Sequence, residues 1–131
     1  ANKFVAGFIG APQMNFLAGR VSGQTLALDA GLSRDIPLAE PGDMPVTLGV
    51  RPETIDVSLD GEGDLEITVQ NFEQLGSVTY LYGSSAHGER LTMQIGRRIQ
   101  LTRGQTVGVT LNTENFHVFG GDSEAALRMA G

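Results

Sequence analysis

The chain has 131 residues, which is enough for one domain with a core of its own. It contains no cysteine, which excludes disulfides, cysteine-bound zinc and thiol catalysis, and no apolar run reaches the roughly 18 residues of a membrane-spanning helix. Nine basic residues against 15 acidic ones give a net charge of −6, which argues against binding to duplex nucleic acid.

The chain begins with the pattern of a short helix. Its apolar residues recur at a spacing that places them on one helical face: Phe4, Val5, Phe8 and Ile9. Asn2 can cap the start of this helix, and Gly10 can end it before Pro12. We therefore predict a helix over residues 2–9, and a second short helix over residues 122–129.

Between these helices the sequence favours short strands. Alternation of apolar and polar residues predicts strands at 14–21, 25–28, 46–50, 55–59, 64–75, 78–83, 90–95, 105–111 and 116–119. Residues 30–45 contain several prolines and are predicted to form a loop. The predicted fold is mainly all-β, an antiparallel OB-type barrel with short helices at both ends.

The alternation also predicts which residues point into the core. The inward sets are Leu65, Ile67 and Val69, then Leu91, Met93 and Ile95, then Val107, Val109 and Leu111. Val78, Tyr80 and Tyr82 share one face of their strand, and Leu81 lies on the other. The apolar pattern changes phase after Asn71, which predicts a bulge or bend.

The sequence contains no arrangement typical of catalysis. It has neither a Walker-type phosphate loop nor a nucleophile elbow. His87 and His117 are far apart and have no acidic neighbour at metal-ligand spacing. We therefore predict no catalytic, cofactor-binding or metal-binding residues, and a domain that is not an enzyme by itself.

A sharp corner is predicted at Arg51-Pro52-Glu53, where one strand ends and the next begins. Proline has no N–H to donate and pushes the preceding residue towards extended geometry. One interpretation is a structural corner with a weak surface ion pair, worth about 0–1 kcal/mol. The other is that Arg51 and Glu53 contact a regulatory protein.

Four basic residues lie close together in the sequence: Arg90, Arg97, Arg98 and Arg103. The plainer interpretation is a charged hairpin edge that prevents pairing with other chains. The alternative is an anion-binding or partner-binding face.

Several segments, taken in order, resemble one family. Residues 2–17 (NKFVAGFIGAPQMNFL) are similar to the join between the ATPase and regulatory domains in sugar-type ABC importers. Residues 48–53 (LGVRPE), residues 69–83 and residues 115–119 (NFHVF) are similar to segments of that regulatory domain. The family is the maltose-, glycerol-phosphate- and polyol-type group of ABC transporter ATPases, whose regulatory part is a TOBE or MOP-like OB barrel. Thr54 departs from this pattern, because the family often has His there.

The resemblance implies a role and a division of the chain. Residues 1–12 would be a linker helix from an ATPase domain outside this chain, and residues 13–131 the regulatory domain. ATP and Mg²⁺ would bind only in the ATPase domain. The full-length subunit would form a homodimer, would contact permease subunits through its ATPase domain, and in some members would receive a regulatory protein. It would be cytoplasmic, on the inner face of the plasma membrane.

Two other functions stay open at this stage. A MOP-like module binding a small oxyanion such as molybdate would need convergent N–H groups with Ser, Arg or Lys, and Ser77, Ser84 and Ser85 lie near turns. An OB-fold nucleic-acid binder would stack bases on Tyr80 and Tyr82 in a basic groove, which the net charge opposes.

The last predicted strand suggests a dimer contact. Phe116 and Phe119 are spaced so that they cannot share one sheet face, so one ring should point away from the core. The alternative is that the closing turn and the terminal helix bury both rings. We predict that these two phenylalanines contribute to a weak two-fold interface, with a monomer in dilute solution.

Overall fold

A computed structural model describes residues 14–38 and 42–120, and this part of the chain is almost entirely β-structure. The predicted helices at 2–9 and 122–129, and the domain boundary after residue 12, lie outside the described residues. The strands are β1 (Asn15–Gly23), β2 (Thr25–Leu28), β3 (Ser33–Asp35), β4 (Gly42–Val50), β5 (Asp56–Ser58), β6 (Leu65–Leu75), β7 (Val78–Ser85), β8 (Arg90–Ile95), β9 (Thr106–Thr110) and β10 (His117–Gly120). Two short 3-10 helices span Pro52–Thr54 and Thr113–Asn115.

The first sheet has the strand order β10-β4-β1-β2-β3, and all its pairs are antiparallel. Its longest ladder joins β1 to β4, from the pair Asn15↔Val50 to the pair Gly23↔Gly42. The predicted hairpin between β1 and β2 is confirmed.

The second sheet has the order β5-β9-β6-β7-β8, again antiparallel throughout. Its two edge strands, β5 and β8, contact each other, so the sheet curls towards a barrel. The predicted bulge in β6 is confirmed as a register shift between Val69 and Asn71. The all-β antiparallel fold predicted from the alternation is therefore confirmed.

The prediction of a continuous loop over residues 30–45 was wrong. β3 forms inside it, and β4 begins already at Gly42. Proline is tolerated in β4 because β10 pairs only as far as Val46, which leaves Pro45 beyond the end of that neighbour. A second, smaller correction is that β10 begins at His117 rather than at Phe116.

The core lies between and within the two sheets, and its residues follow the predicted alternation. Leu65, Ile67, Val69, Leu91, Met93, Val107, Val109 and Leu111 are all buried as expected, and Ile95 packs partly buried against them. In β7 the buried face carries Thr79, Leu81 and Ser85, whereas Tyr80 and Tyr82 are only half-buried on the other face. The two tyrosines therefore belong to an outer surface.

Close backbone packing over β9 generates a first prediction. A Cβ on Gly108 would overlap the backbone oxygen of Glu62, which no side-chain rotation can relieve. Gly108→Ala should therefore destabilise the fold by about 2 kcal/mol or more in urea unfolding. The matched control is Gly96→Ala, because nothing lies within 4 Å of that Cβ position. Equal unfolding midpoints for the two variants would contradict the described packing.

Candidate functional site

Asn15, the first residue of β1, joins the two sheets through its side chain. Its Nδ2 donates to the carbonyl oxygen of Val50 at 3.1 Å and to that of Thr92 at 2.9 Å. Its Oδ1 accepts a hydrogen bond from the Thr92 main-chain N–H at 2.7 Å. The carboxamide thus pairs with both main-chain groups of an edge residue in β8, as a neighbouring strand would. Asn15 is only 6% exposed.

A second connection runs between Arg34 in β3 and the start of β6. The guanidinium forms an ion pair with Asp64 at 2.9 Å and also donates to the carbonyl oxygen of Leu111 at 3.1 Å. The other oxygen of Asp64 accepts from the Leu111 N–H at 2.9 Å. Both side chains are partly buried, at 30% and 22% exposure. Each charge is therefore held by hydrogen bonds as well as by its partner, which strengthens the contact.

The corner at Arg51-Pro52-Glu53 is a 3-10 turn whose proline faces inward. Pro52 is buried, and the turn packs against β8. The hydroxyl of Thr54 donates to the Arg51 carbonyl oxygen at 2.8 Å, which closes the turn. Arg51 and Glu53 are both exposed, and the structure records no ion pair between them. Burial of Pro52 therefore explains the corner as a structural element. The side chains of Arg51 and Glu53 do not contribute to it and lie on the surface.

Glu53 lines a small cavity of about 220 Å³ where the second sheet fails to close. The opposite wall comes from the end of β8, including Gln94, Gly96 and Arg97. The cavity is mostly polar, and Glu53 lines it whereas Arg51 does not.

The phenylalanines predicted to form a dimer contact lie on opposite sides of the first sheet. Phe116 is buried in the core at 6% exposure. Phe119 is half-buried on the outer face, where its ring lies 6.2 Å from that of Phe16. The prediction that one ring leaves the core is confirmed, and that ring is Phe119. A dimer contact by either residue stays a prediction, and the placement leaves only Phe119 available for it.

Phe119 packs over the backbone of Gly49. A Cβ there would lie 2.6 Å from the Met14 sulfur and 3.1 Å from the Phe119 ring. The glycine therefore allows these side chains to lie flat on the sheet, and the result is an apolar outer patch of Met14, Phe16 and Phe119.

A wider cavity, of about 690 Å³, lies at the opposite end of the second sheet and is acidic. Its polar lining includes Glu62, Asp64, Glu66, Ser85 and His87. Asp64 is already engaged by Arg34. Among residues 14–38 and 42–120, no three His, Asp or Glu side chains converge in a way that could hold a metal ion.

Two side chains have shifted acidity. The Ser58 hydroxyl and the Glu62 N–H donate to Asp60 and hold the pKa of that exposed carboxyl below its ordinary value. Partial burial, followed by the hydrogen bond to Glu73, raises the pKa of Tyr82. Both shifts are explained by these local contacts.

The comparisons with known proteins agree with this architecture. Residues 10–55 match the family model of the MalK OB fold domain. The protein is therefore an OB-fold domain. Residues 48–119, more than half of the chain, match the TOBE domain. The chain belongs to the TOBE domain family.

The curated relatives are longer proteins. The chain is 38% identical to an ATP-binding protein of Brucella suis, over 97% of this chain and 35% of that protein. It is 34% identical to the sn-glycerol-3-phosphate import ATP-binding protein UgpC of Escherichia coli, over 94% of this chain and 35% of UgpC. It is 33% identical to the osmoprotective compounds uptake ATP-binding protein GgtA of Synechocystis, over 97% of this chain and 38% of GgtA. The chain thus spans about a third of the length of these relatives.

A solved structure shares the fold. The cytoplasmic molybdate-binding protein ModG superimposes with a TM-score of 0.68 at 15% identity, over 82% of this chain and 96% of ModG. In the part of this chain that the structure describes, no helix has the length and apolar character to cross a membrane.

Sequence reasoning missed both inter-sheet contacts. The sequence patterns place Asn15 and Asp64 near the starts of two strands and Arg34 in a loop, and they do not indicate a contact between sheets. Thr92 lies 77 residues from Asn15, and Leu111 lies 77 residues from Arg34, so no local pattern signals these contacts.

The Asn15 contact generates the second prediction. Asn15→Ala should lower the free energy of unfolding by about 2–4 kcal/mol, because it leaves the main-chain groups of Thr92 and Val50 without their partner. Thr92→Ala is the control, since Asn15 uses only the main chain of Thr92. Urea unfolding of both variants gives the comparison, and equal losses would contradict the role of the carboxamide.

Asn15→Asp adds a pH dependence with a defined sign. The introduced carboxylate would face the carbonyl oxygens of Val50 and Thr92, which disfavour its charged form and raise its pKa above about 3.9. The stability difference from wild type should therefore be smallest below about pH 4, and should grow as the pH rises through the folded-state pKa. A difference that is constant from pH 3 to about 7 would contradict this geometry.

Proposed function

We propose that this chain is the regulatory and dimerisation domain of the ATP-binding subunit of an ABC importer for a sugar or related solute. The observation that carries the proposal is the extent of the likeness. Nearly the whole chain aligns with about a third of import ATP-binding proteins such as UgpC and GgtA. An OB-fold domain that forms one part of such a subunit has no need of catalytic groups of its own.

The chemistry of the chain supports a role in assembly. The sequence contains no Walker-type phosphate loop, so ATP and Mg²⁺ would bind elsewhere in the full-length subunit. That subunit would act as a homodimer on the cytoplasmic face of the membrane and would contact the permease subunits through its ATPase domain. The domain described above would steady the pair and receive regulatory proteins.

Two surfaces are suited to these contacts. Arg51 and Glu53 are exposed on a corner that Pro52 anchors, so both charges are accessible to a regulatory partner. Phe119 offers an apolar ring on the outer face of the first sheet, beside Phe16 and above Gly49. A two-fold interface brings the same patch of both copies together, so the patch must be complementary to itself. An apolar patch without charges can pack against a second copy of itself.

The oxyanion-binding alternative finds less support in the electrostatics. The likeness to ModG concerns the fold, because the two sequences share only 15% identity. The 690 Å³ cavity is lined by the carboxylates of Glu62, Asp64 and Glu66, which would repel an oxyanion. No second function is proposed on this basis.

Nucleotide turnover gives the third prediction. The 131-residue chain should hydrolyse no ATP above a buffer blank, whereas the product of its complete gene should hydrolyse ATP in the presence of Mg²⁺. A coupled phosphate-release assay on both proteins measures this. Turnover by the chain alone, or a complete gene product without any turnover, would contradict the proposed division of labour.

The dimer contact gives the fourth prediction. Phe119→Ser should weaken self-association in sedimentation equilibrium while it costs the fold only about 1 kcal/mol, the usual worth of an aromatic pair. Phe116→Ser should instead destabilise the fold by about 3–5 kcal/mol, because it empties a core position. Leu59→Ser, at an exposed apolar residue outside the patch, is the control for association. If Phe119→Ser and Leu59→Ser associate like wild type, the patch is not the interface.

A further inference from the structure

The hairpin of β6 and β7 presents an outer surface that no other described strand covers. The register places Leu75 opposite Val78, and the same face continues through Tyr80 and Tyr82. Leu75 is 58% exposed, the most exposed large apolar residue in the described part of the chain. Val78, Tyr80 and Tyr82 are each half-buried, so part of every side chain stays accessible.

Arginines border this surface at both ends. Arg90 lies opposite Ser84 in the register, two positions beyond Tyr82 and on the same face. At the hairpin tip the Arg98 guanidinium donates to the Gly76 carbonyl oxygen at 3.0 Å, which holds a positive charge beside Leu75. We define the hairpin face as Leu75, Val78, Tyr80, Tyr82, Arg90 and Arg98.

The charges of this face are left without acidic partners. Within residues 14–38 and 42–120 the ion pairs are made by Arg20 and Arg34, and none involves Arg90 or Arg98. The chain has more acidic than basic residues, so unpaired arginines are not explained by a shortage of carboxylates. Glu73 lies on the same face, and its carboxylate already accepts the Tyr82 hydroxyl at 2.9 Å.

Protection of a sheet edge does not account for Arg98. Edge-protecting charges act beside the unpaired main chain of an edge strand. Arg98 instead bonds to the turn between β6 and β7, neither of which is an edge of the second sheet. Tyrosine and arginine around an exposed apolar residue are the composition of protein-binding hot spots.

We propose that the hairpin face binds a segment of another protein that carries carboxylates beside apolar side chains. Its carboxylates would pair with Arg90 and Arg98, and its apolar side chains would cover Leu75 and the tyrosines. A membrane surface is a poorer match, because binding there needs several basic residues and a deeper apolar face, and the whole chain carries a charge of −6. The proposal goes beyond the assembly role above and does not depend on it.

The test uses the 131-residue chain and two labelled synthetic peptides in fluorescence anisotropy at about 0.15 M salt. One peptide alternates glutamate with leucine, and the other alternates lysine with leucine. The chain should bind the glutamate peptide at least about tenfold more tightly than the lysine peptide, a difference of about 1.4 kcal/mol. Failure of the glutamate peptide to bind, or equal binding of both, would overturn the proposal.

Matched variants locate the binding. Leu75→Asp and Arg98→Gln should each weaken binding of the glutamate peptide about tenfold, and glutamine keeps a donor for the Gly76 carbonyl oxygen. Leu59→Asp and Arg20→Gln make the same changes at exposed residues outside the face and should leave binding unchanged. Thermal unfolding confirms that each variant is folded. If the control variants lose as much affinity for the glutamate peptide as the face variants, the assignment is overturned. It is also overturned if the chain binds phosphatidylglycerol vesicles more tightly than the glutamate peptide and that binding depends on Leu75.

Discussion

The carboxamide of Asn15 is the contact on which the two-sheet arrangement depends. A primary amide both donates and accepts, so it can satisfy the main-chain N–H and carbonyl of one edge residue, as it does at Thr92, while also donating to Val50. It therefore stands in for a strand at the edge of β8 and stops further pairing there. The ion pair of Arg34 with Asp64, at the β3 edge of the first sheet, makes a second connection between the sheets.

These connections fix the positions of the outer surfaces. The charged corner, the Phe119 patch and the hairpin face lie on different elements, and each rests on a buried or hydrogen-bonded support: Pro52, Gly49 and the Arg98–Gly76 contact. None of these surfaces brings together a nucleophile, a base and an orienting group. Surfaces supported in this way are compatible with the assembly role proposed above.

Much of the fold was predictable from the sequence because the information is local. Strict alternation identified the buried residues of β6, β8 and β9, and a break in alternation identified the bulge beyond Val69. The loop prediction over residues 30–45 was wrong because it followed the local proline content. β3 and β4 form there because they pair with β2 and β1, and the local sequence does not show those partners. The roles of Asn15 and Arg34 could not be predicted, because their contacts with Thr92 and Leu111 join residues 77 positions apart and depend on how the sheets meet.

Native-state hydrogen exchange at the Thr92 amide tests most directly whether the two sheets form one cooperative unit. This N–H donates to the Asn15 side chain and not to a strand, so its protection reports on the contact between the sheets. The described structure predicts that Thr92 exchanges only with global unfolding, with the same opening free energy and urea dependence as the core amide of Leu81. Exchange at Thr92 through a low-energy opening that leaves Leu81 protected would show that the sheets separate, and would contradict the central role of Asn15.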